Sequence, residues 1–294
     1  MKNRHNLPEW LCETVQYLRD KYDPGKSDYT ATSLLKPPML FALEKKYADD
    51  IETDVADNLA SFFGTSVHNS CEDALQHNKR YIVEERFYRK IKVPNSPGEK
   101  KTFLIGGQVD LFDLETNQLS DHKYTSIMKY LMGDKSEYEQ QLNINRWLLR
   151  GNGHTVDSVR INLLAKDWRK GESKKNPDYP PTPYVPVDLP IWDDEDVETF
   201  IRNQIVEKEH AKLGTYRVCT EEERWARPSK YAVMKKGRKS AVRVLDSQEE
   251  AEQYIIDKKL DKSHTIDFRP GENIRCEQYC PVSEWCPWFK ENYE

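Results

Sequence analysis

Apolar positions recur at helical spacing up to about residue 80 and then switch to short, strand-like runs. In "DIETDVADNLASFFGTSVHNSCEDALQH", Val55, Leu59, Phe62, Phe63, Val67, Cys71 and Leu75 recur every three or four residues, which predicts an amphipathic helix. Between about 80 and 126 the pattern predicts three strands, "RYIVEERFYRKIKV", "KTFLIGGQVDLFDL" and "NQLSDHKYTS", the last two joined through the turn "LETN" as a hairpin. A helix follows in "SEYEQQLNINRWLLR", stopped by Gly151 and Gly153, and "TVDSVRINLLAKDW" reads as a further strand. The run "RKGESKKNPDYPPTPYVP" predicts a loop or boundary, and "DDEDVETFIRNQIVEKEHAKL" a helix leading away from it. A small hairpin and helix come next, with Ser247 and Glu250 as a capping box opening that helix. The expected organisation is a helical region over 1–80, an α/β core over 81–170 and a C-terminal lobe over 171–294.

Composition narrows the class. The chain of 294 residues is 32% charged and 37% hydrophobic with 11% aromatics, so it carries a heavily charged surface over a packed interior. A net charge of -5 gives no whole-surface attraction to nucleic acid, although a local basic groove is compatible with it. The first residues lack an apolar run with a small-residue cleavage site, and no stretch approaches a membrane span in length. A cytosolic protein with reduced thiols is expected.

Chemistry concentrates in the hairpin. Asp110 sits in the middle of an apolar strand, and Asp121-His122-Lys123 returns on the next. Side chains alternate along a strand, so Asp121 and Lys123 share a face. Carboxylate-x-lysine alone says little, since Glu44-Lys45-Lys46 and Asp257-Lys258-Lys259 match it too. Asp121 differs in lying across a short turn from Asp110, where two carboxylates can grip a hard divalent cation such as Mg²⁺ by oxygen. Two readings stand: a wet charged face, or a cation site with an amine beside it.

Three stretches in order resemble the PD-(D/E)XK nuclease superfamily, in its RecB-like branch. Asp110…Asp121-His122-Lys123 resembles the active-site hairpin, and "GGQVDLFD" the Gly-x-hydrophobic-Asp strand. Upstream, "GTSVHNSCED" resembles the Gly-Thr…His…Glu helix, with Gly64, His68 and Glu72 four residues apart. Downstream, "EYEQQLNINRWLL" resembles the Gln-Leu-x-x-Tyr helix, with Gln141 in the glutamine position and Asn145 in place of the tyrosine. The resemblance covers about residues 30 to 165. It implies a restriction-endonuclease-like α/β core, a mixed central sheet flanked by helices. It also implies Mg²⁺ or Mn²⁺ held by His68, Asp110, Asp121 and the His122 backbone carbonyl. Lys123 would then position or help deprotonate the attacking water, and Gln141 would face DNA. Glu85 is either an outer partner of this site or an ordinary exposed strand glutamate; His68 is either a ligand or a structural histidine.

Of six cysteines, Cys276, Cys280 and Cys286 form a Cys-x3-Cys-x5-Cys array near the C-terminus. Reduced thiols at this spacing suggest metal ligands. Cys219 is the expected fourth, while Cys71 reads as core on its helix. The resemblance, which extends to the CRISPR-adaptation nucleases, implies a 4Fe–4S cluster; zinc is the alternative. Those nucleases usually place their first cysteine N-terminal to the core, where this chain has "SLLKPPMLFAL". Lys235, Lys236, Arg238 and Lys239 around Gly237 form either a solvated turn or a phosphate-contacting finger. The expected function is a metal-dependent DNA nuclease, leaning to exonuclease, of phage type. It would act in recombination or replication, alongside a protein of those processes, in the host cytoplasm. Two competitors are a nucleic-acid-binding module with weak or lost cleavage and a zinc-stabilised interaction protein.

Overall fold

The computed structural model describes residues 1–96 and 99–293. The chain divides into two units: Met1–Lys36 with Glu52–Thr215, and Pro37–Ile51 with Tyr216–Glu294. The expected boundaries are therefore corrected twice. Residues 37–51 leave the N-terminal region for the second unit, and residues 171–215 join the strands of the first.

The first unit opens with α1 (Glu9–Asp20), β1 (Tyr29–Thr30) and α2 (Ala31–Leu35); α3 (Pro38–Lys46) belongs to the second unit. The predicted amphipathic helix is α4 (Leu59–Leu75), but its apolar stripe is only partly covered. None of its residues is fully buried and Phe63 is 49% exposed, whereas Val55, 3% exposed, lies before the helix. The strands are β2 (Tyr81–Ser96), β3 (Glu99–Asp113) and β4 (Gln118–Thr125), the last two turning at Asn117, which takes the left-handed φ of 53° that asparagine tolerates. After β4 come α5 (Ile127–Met132), α6 (Ser136–Gly151) and β5 (Ser158–Ala165). This helical crossover lets β4 and β5 pair in parallel.

The chain continues through α7 (Lys170–Ser173), β6 (Tyr184–Leu189) and α8 (Asp194–Lys212). The Pro-rich run expected as loop thus contributes an edge strand. Proline cannot donate to a ladder on both sides, and Pro186 is accommodated where β6 pairs with β5 alone. The result is a mixed α/β fold in which a mixed six-stranded sheet is flanked by helices.

One edge of β3 pairs with β2. The other edge meets β1 at Ile105 and Gly106 and β4 at Leu111–Asp113, with Gly107–Asp110 between these partners. There α6 packs close: a Cβ on Gly107 would lie 2.3 Å from Asn145 Oδ1 and 2.6 Å from Leu148 Cδ1. Glycine is required by this approach. The apolar side of α6 (Leu142, Ile144, Trp147, Leu148, Leu149) and that of α8 (Val197, Ile201, Ile205) form the buried core.

In the second unit, α3 joins α9 (Glu221–Arg224), β7 (Ala226–Arg227), β8 (Lys230–Lys235), β9 (Arg243–Leu245), α10 (Gln248–Asp257), β10 (His264–Arg269), β11 (Glu272–Asn273) and α11 (Pro287–Tyr293). The predicted hairpin is β8–β9, and β10 adds a third antiparallel strand to it. Ser247 caps α10 by accepting from the Glu250 N–H at 3.2 Å, while the Glu250 carboxylate accepts from the Asp246 N–H at 3.1 Å rather than from Ser247. The core of this unit gathers Met39, Leu40 and Leu43 of α3 with Val282 and Cys286, and Tyr47 stacks on Trp285 with centroids 4.8 Å apart. Among the described residues no helix is long and apolar enough to cross a membrane.

Candidate metal centre

The β3–β4 ladder pairs Leu111–Asp113 with Gln118–Ser120, and one step further would set Asp110 against Asp121. Instead of a ladder bond, the His122 N–H donates to Asp110 Oδ2 at 2.8 Å. Both carboxylates are buried here, Asp110 at 9% and Asp121 at 2% exposure. Burial of charged groups without strong partners is costly, so their partners define the site.

His68, on α4, places Nδ1 3.5 Å from Asp110 Oδ2 and 2.8 Å from Glu84 Oε1. Lys123 Nζ lies 2.6 Å from Asp121 Oδ2, and Gln141 Nε2 donates to Asp121 Oδ1 at 3.0 Å. Tyr138 of α6 covers the ammonium, its ring centroid 5.6 Å from Lys123 Nζ. The structure thus brings His68, Asp110, Asp121, His122, Lys123 and Gln141 together. Gln141 spends an amide donor on Asp121, so its first task is to hold a carboxylate.

Electrostatics follow from this crowding. Burial, then repulsion from Asp121, pushes the Asp110 carboxyl up to about 8, against the pull of His68 and Lys123. Burial lowers His68, but the Glu84 hydrogen bond and the Asp110, Glu84 and Asp121 charges outweigh it and raise the imidazole to about 9. Burial also pulls Lys123 down, yet Asp121 and Asp110 reverse this and the net shift is upward. With no cation bound, protons on His68 and Lys123 and on Asp110 balance the charge that a metal ion would otherwise neutralise.

Sequence reasoning missed Glu84. Its neighbour Glu85, weighed as an outer partner, is exposed. Glu84 stands opposite Asp110 in the β2–β3 register, between the pairs Val83–Leu111 and Glu85–Val109, with a φ of 51°. The only signal was a doubled glutamate in an apolar strand. Cys71 is a second correction. It does not lie in an apolar core: burial raises its thiol, and so do the charges of Glu84 and Asp110 nearby. Asn145 is 2% exposed and donates to the Gln108 carbonyl at 3.2 Å, which closes the edge of β3 between β1 and β4.

These groups lie in a cavity of about 770 Å³ bounded by α1, α4 and the sheet. Arg19, Lys21, Arg86 and Lys123 line it with Thr65, Asn69 and other hydrogen-bonding side chains. Among the described residues, the group whose ligand atoms all lie within 4.8 Å of one another is His68, Glu84 and Asp110. A nitrogen and two carboxylates suit a divalent cation.

In the second unit, burial pushes the Cys219 thiol up to about 12, with Glu223, Cys276, Cys280 and Cys286 adding to it. Cys276 rises to about 11 through burial and the charges of Cys280 and Cys286. The fold therefore brings these four thiols within one another's electrostatic reach, although their sulfurs do not draw as close as the His68 group does. Cys12 and Cys71 belong to the first unit. Lys235, Lys236, Arg238 and Lys239 are exposed around the β8–β9 turn, where Gly237 takes a φ of 85°.

No family model and no curated protein matches this chain. A solved structure described as "Crystal structure of SSO0001" is similar at 16% identity, covering 67% of this chain and 83% of that one, with a TM-score of 0.47.

Proposed function

We propose that this chain is a metal-dependent DNA nuclease of the PD-(D/E)XK superfamily, RecB-like, hydrolysing phosphodiester bonds in phage recombination or replication. One observation carries the reading: Asp110 and Asp121 are buried together where the β3–β4 ladder ends, with Lys123 2.6 Å from Asp121 and His68 3.5 Å from Asp110. Asp110, Asp121 and His68 would hold Mg²⁺ or Mn²⁺. When bound, the ion supplies polarisation of the phosphoryl oxygen and acidifies its water.

The remaining work falls to the chain's own groups. Gln141 fixes the orientation of Asp121. Lys123, held protonated by two carboxylates, acts as a cation that orients water and stabilises charge developing on the phosphate. This refines the expectation of a lysine base, because an upward-shifted ammonium gives up its proton reluctantly. Arg19, Lys21 and Arg86 offer positive charge to a phosphate backbone entering the cavity.

In the second unit, Cys219, Cys276, Cys280 and Cys286 would hold an iron–sulfur cluster or zinc, and the exposed cations of the β8–β9 turn would contact backbone phosphate. The donor chemistry supports this: four neighbouring thiols whose deprotonation is suppressed by burial and mutual repulsion are the kind of set that a cation stabilises. The test is direct. End-labelled linear and circular DNA, single- and double-stranded, is incubated with Mg²⁺ or Mn²⁺ and the products are resolved over time. Metal-dependent cleavage that disappears in Asp121→Asn supports the reading; no cleavage of any substrate with either ion removes it.

A further inference from the structure

Glu84 is held in an unusual way. A glutamate with a φ of 51° inside a long strand is strained, and such strain persists only where the surroundings impose it. Its flanking residues keep their register with β3, so the strand has not slipped. The carboxylate is fixed at both oxygens: Oε1 lies 2.8 Å from His68 Nδ1, and Oε2 accepts from Gln108 Nε2 at 2.8 Å. Gln108 Oε1 in turn accepts from Arg86 Nη2 at 3.0 Å, and that nitrogen also donates to the Asp23 carbonyl at 2.8 Å. A chain of polar contacts runs from an α1-side loop through the sheet to this one carboxylate.

The ligand atoms of His68, Glu84 and Asp110 lie within 4.8 Å of one another, a spacing that a cation about 2.0–2.2 Å from each can bridge. Asp121 is outside this group, its oxygens engaged by Gln141 and Lys123. Asp110 therefore faces two places at once, the His68–Glu84 side and the Asp121 side. A separate observation points the same way. His122 is 7% exposed, its ring edge-on to that of His68 with centroids 5.9 Å apart. Asn162 Nδ2 lies 3.3 Å from His122 Nδ1, while Nε2 is buried without a partner. A buried imidazole nitrogen without a partner is a costly feature that an additional ligand would relieve.

We infer that the chain binds two divalent cations, one at Asp110 and Asp121 and a second at His68, Glu84 and Asp110, with Asp110 shared between them. The inference rests on the metal-dependent reading above and adds a site to it. A shared carboxylate between two ions suits phosphodiester chemistry, in which the attacking and leaving oxygens both need charge neutralised. Three carboxylates gathered against one lysine supply negative charge for more than a single divalent ion.

The test counts ions instead of products. Full-length protein is titrated with Mn²⁺ and free Mn²⁺ is followed by electron paramagnetic resonance, with stoichiometry taken as the difference between wild type and variants so that metal held by the cysteines cancels. Wild type should bind one Mn²⁺ more than Glu84→Gln, and the bound signal should carry the broadening of a close pair, lost in the variant. Glu84→Asp, which keeps the charge on a shorter side chain, should bind the second ion about tenfold more weakly or worse; it also gives a readout should Glu84→Gln fold poorly by circular dichroism. Equal stoichiometry in wild type and both variants overturns the inference, as does an unbroadened spectrum at saturation. If two ions bind but no DNA is cut, the nuclease reading fails while the second site stands.

Discussion

Lys123 Nζ rests 2.6 Å from Asp121 Oδ2, on the residue two positions back in the same strand, and a quarter of the lysine side chain stays exposed. The contact ties the ammonium to a carboxylate that the ion also needs. Replacing Lys123 with Ala should slow cleavage by about 10²-fold or more while leaving DNA affinity within a few-fold, because one phosphate contact is a small part of a backbone-dominated affinity. Single-turnover rates and filter binding on the same preparations check this. A proportional fall in both would make Lys123 a docking residue.

Asp110→Asn should abolish cleavage with the fold retained and should raise the melting temperature of metal-free protein. The sign follows from the shifts. Asp110 titrates in the fold near 8 rather than near its ordinary 3.8, so between these values the folded chain holds a proton that the unfolded chain releases, and stability falls as pH rises. His68, raised from 6.5 to about 9, contributes stability that is complete below 6.5 and lost as pH climbs through 9. Both act in the same direction. Melting in chelator should therefore drop from pH 5.5 to pH 8.5, with a shallower slope in Asp110→Asn. Relief of about 1 kcal/mol would appear as roughly 2–4 °C in a protein of this size. A flat profile in wild type contradicts the assignment.

Gly107→Ala tests the packing that shapes the centre. The added methyl would meet Asn145 Oδ1 at 2.3 Å and Leu148 Cδ1 at 2.6 Å, so α6 or β3 must shift. A loss of about 1–3 kcal/mol in chemical denaturation is expected. Gly64→Ala, where nothing lies within 4 Å of the new Cβ, should be neutral or mildly stabilising and serves as the contrast.

Serine at Cys219, Cys276, Cys280 or Cys286 should each lower metal content and melting temperature, while Cys12→Ser and Cys71→Ser keep both. Anaerobic purification gives brown protein with iron and acid-labile sulfide if the centre is a cluster, and colourless protein with zinc otherwise. Full metal content in Cys219→Ser would remove it from the ligand set.

Reversing charge at the β8–β9 turn, as in Lys236→Glu with Arg238→Glu, should weaken DNA binding and flatten its dependence on salt by about one to two in log–log slope. Unchanged binding at low salt would return these residues to the role of a solvated turn.

The hairpin was legible because its information is local. Alternation and a short turn suffice to set Asp110 against Asp121 and Lys123, and no distant residue is needed to infer it. Glu84 was illegible for the same reason inverted: alternation assumes ordinary strand dihedrals, and a φ of 51° breaks that assumption. Cys71 matched the apolar spacing of α4, but spacing gives a helix face and not what covers it. The edge strand β6 was hidden by proline, a signal of loops that is also tolerated on edges. The membership of residues 37–51 depends on side chains of Met39, Leu40 and Leu43 meeting Val282 and Cys286, a match that no local pattern records.

That last arrangement bears on synthesis. Met39, Leu40 and Leu43 leave the ribosome long before Val282 and Cys286, so their apolar side chains wait without their native cover while the whole intervening sheet is made. The second unit can assemble only when its final segment arrives, which makes it the last part of the chain to mature and the part most dependent on holding factors in the interval. A fragment beginning at Tyr216 would lack the helix its core is built around. Grafting Pro37–Ile51 onto such a fragment is the minimal way to express that unit separately.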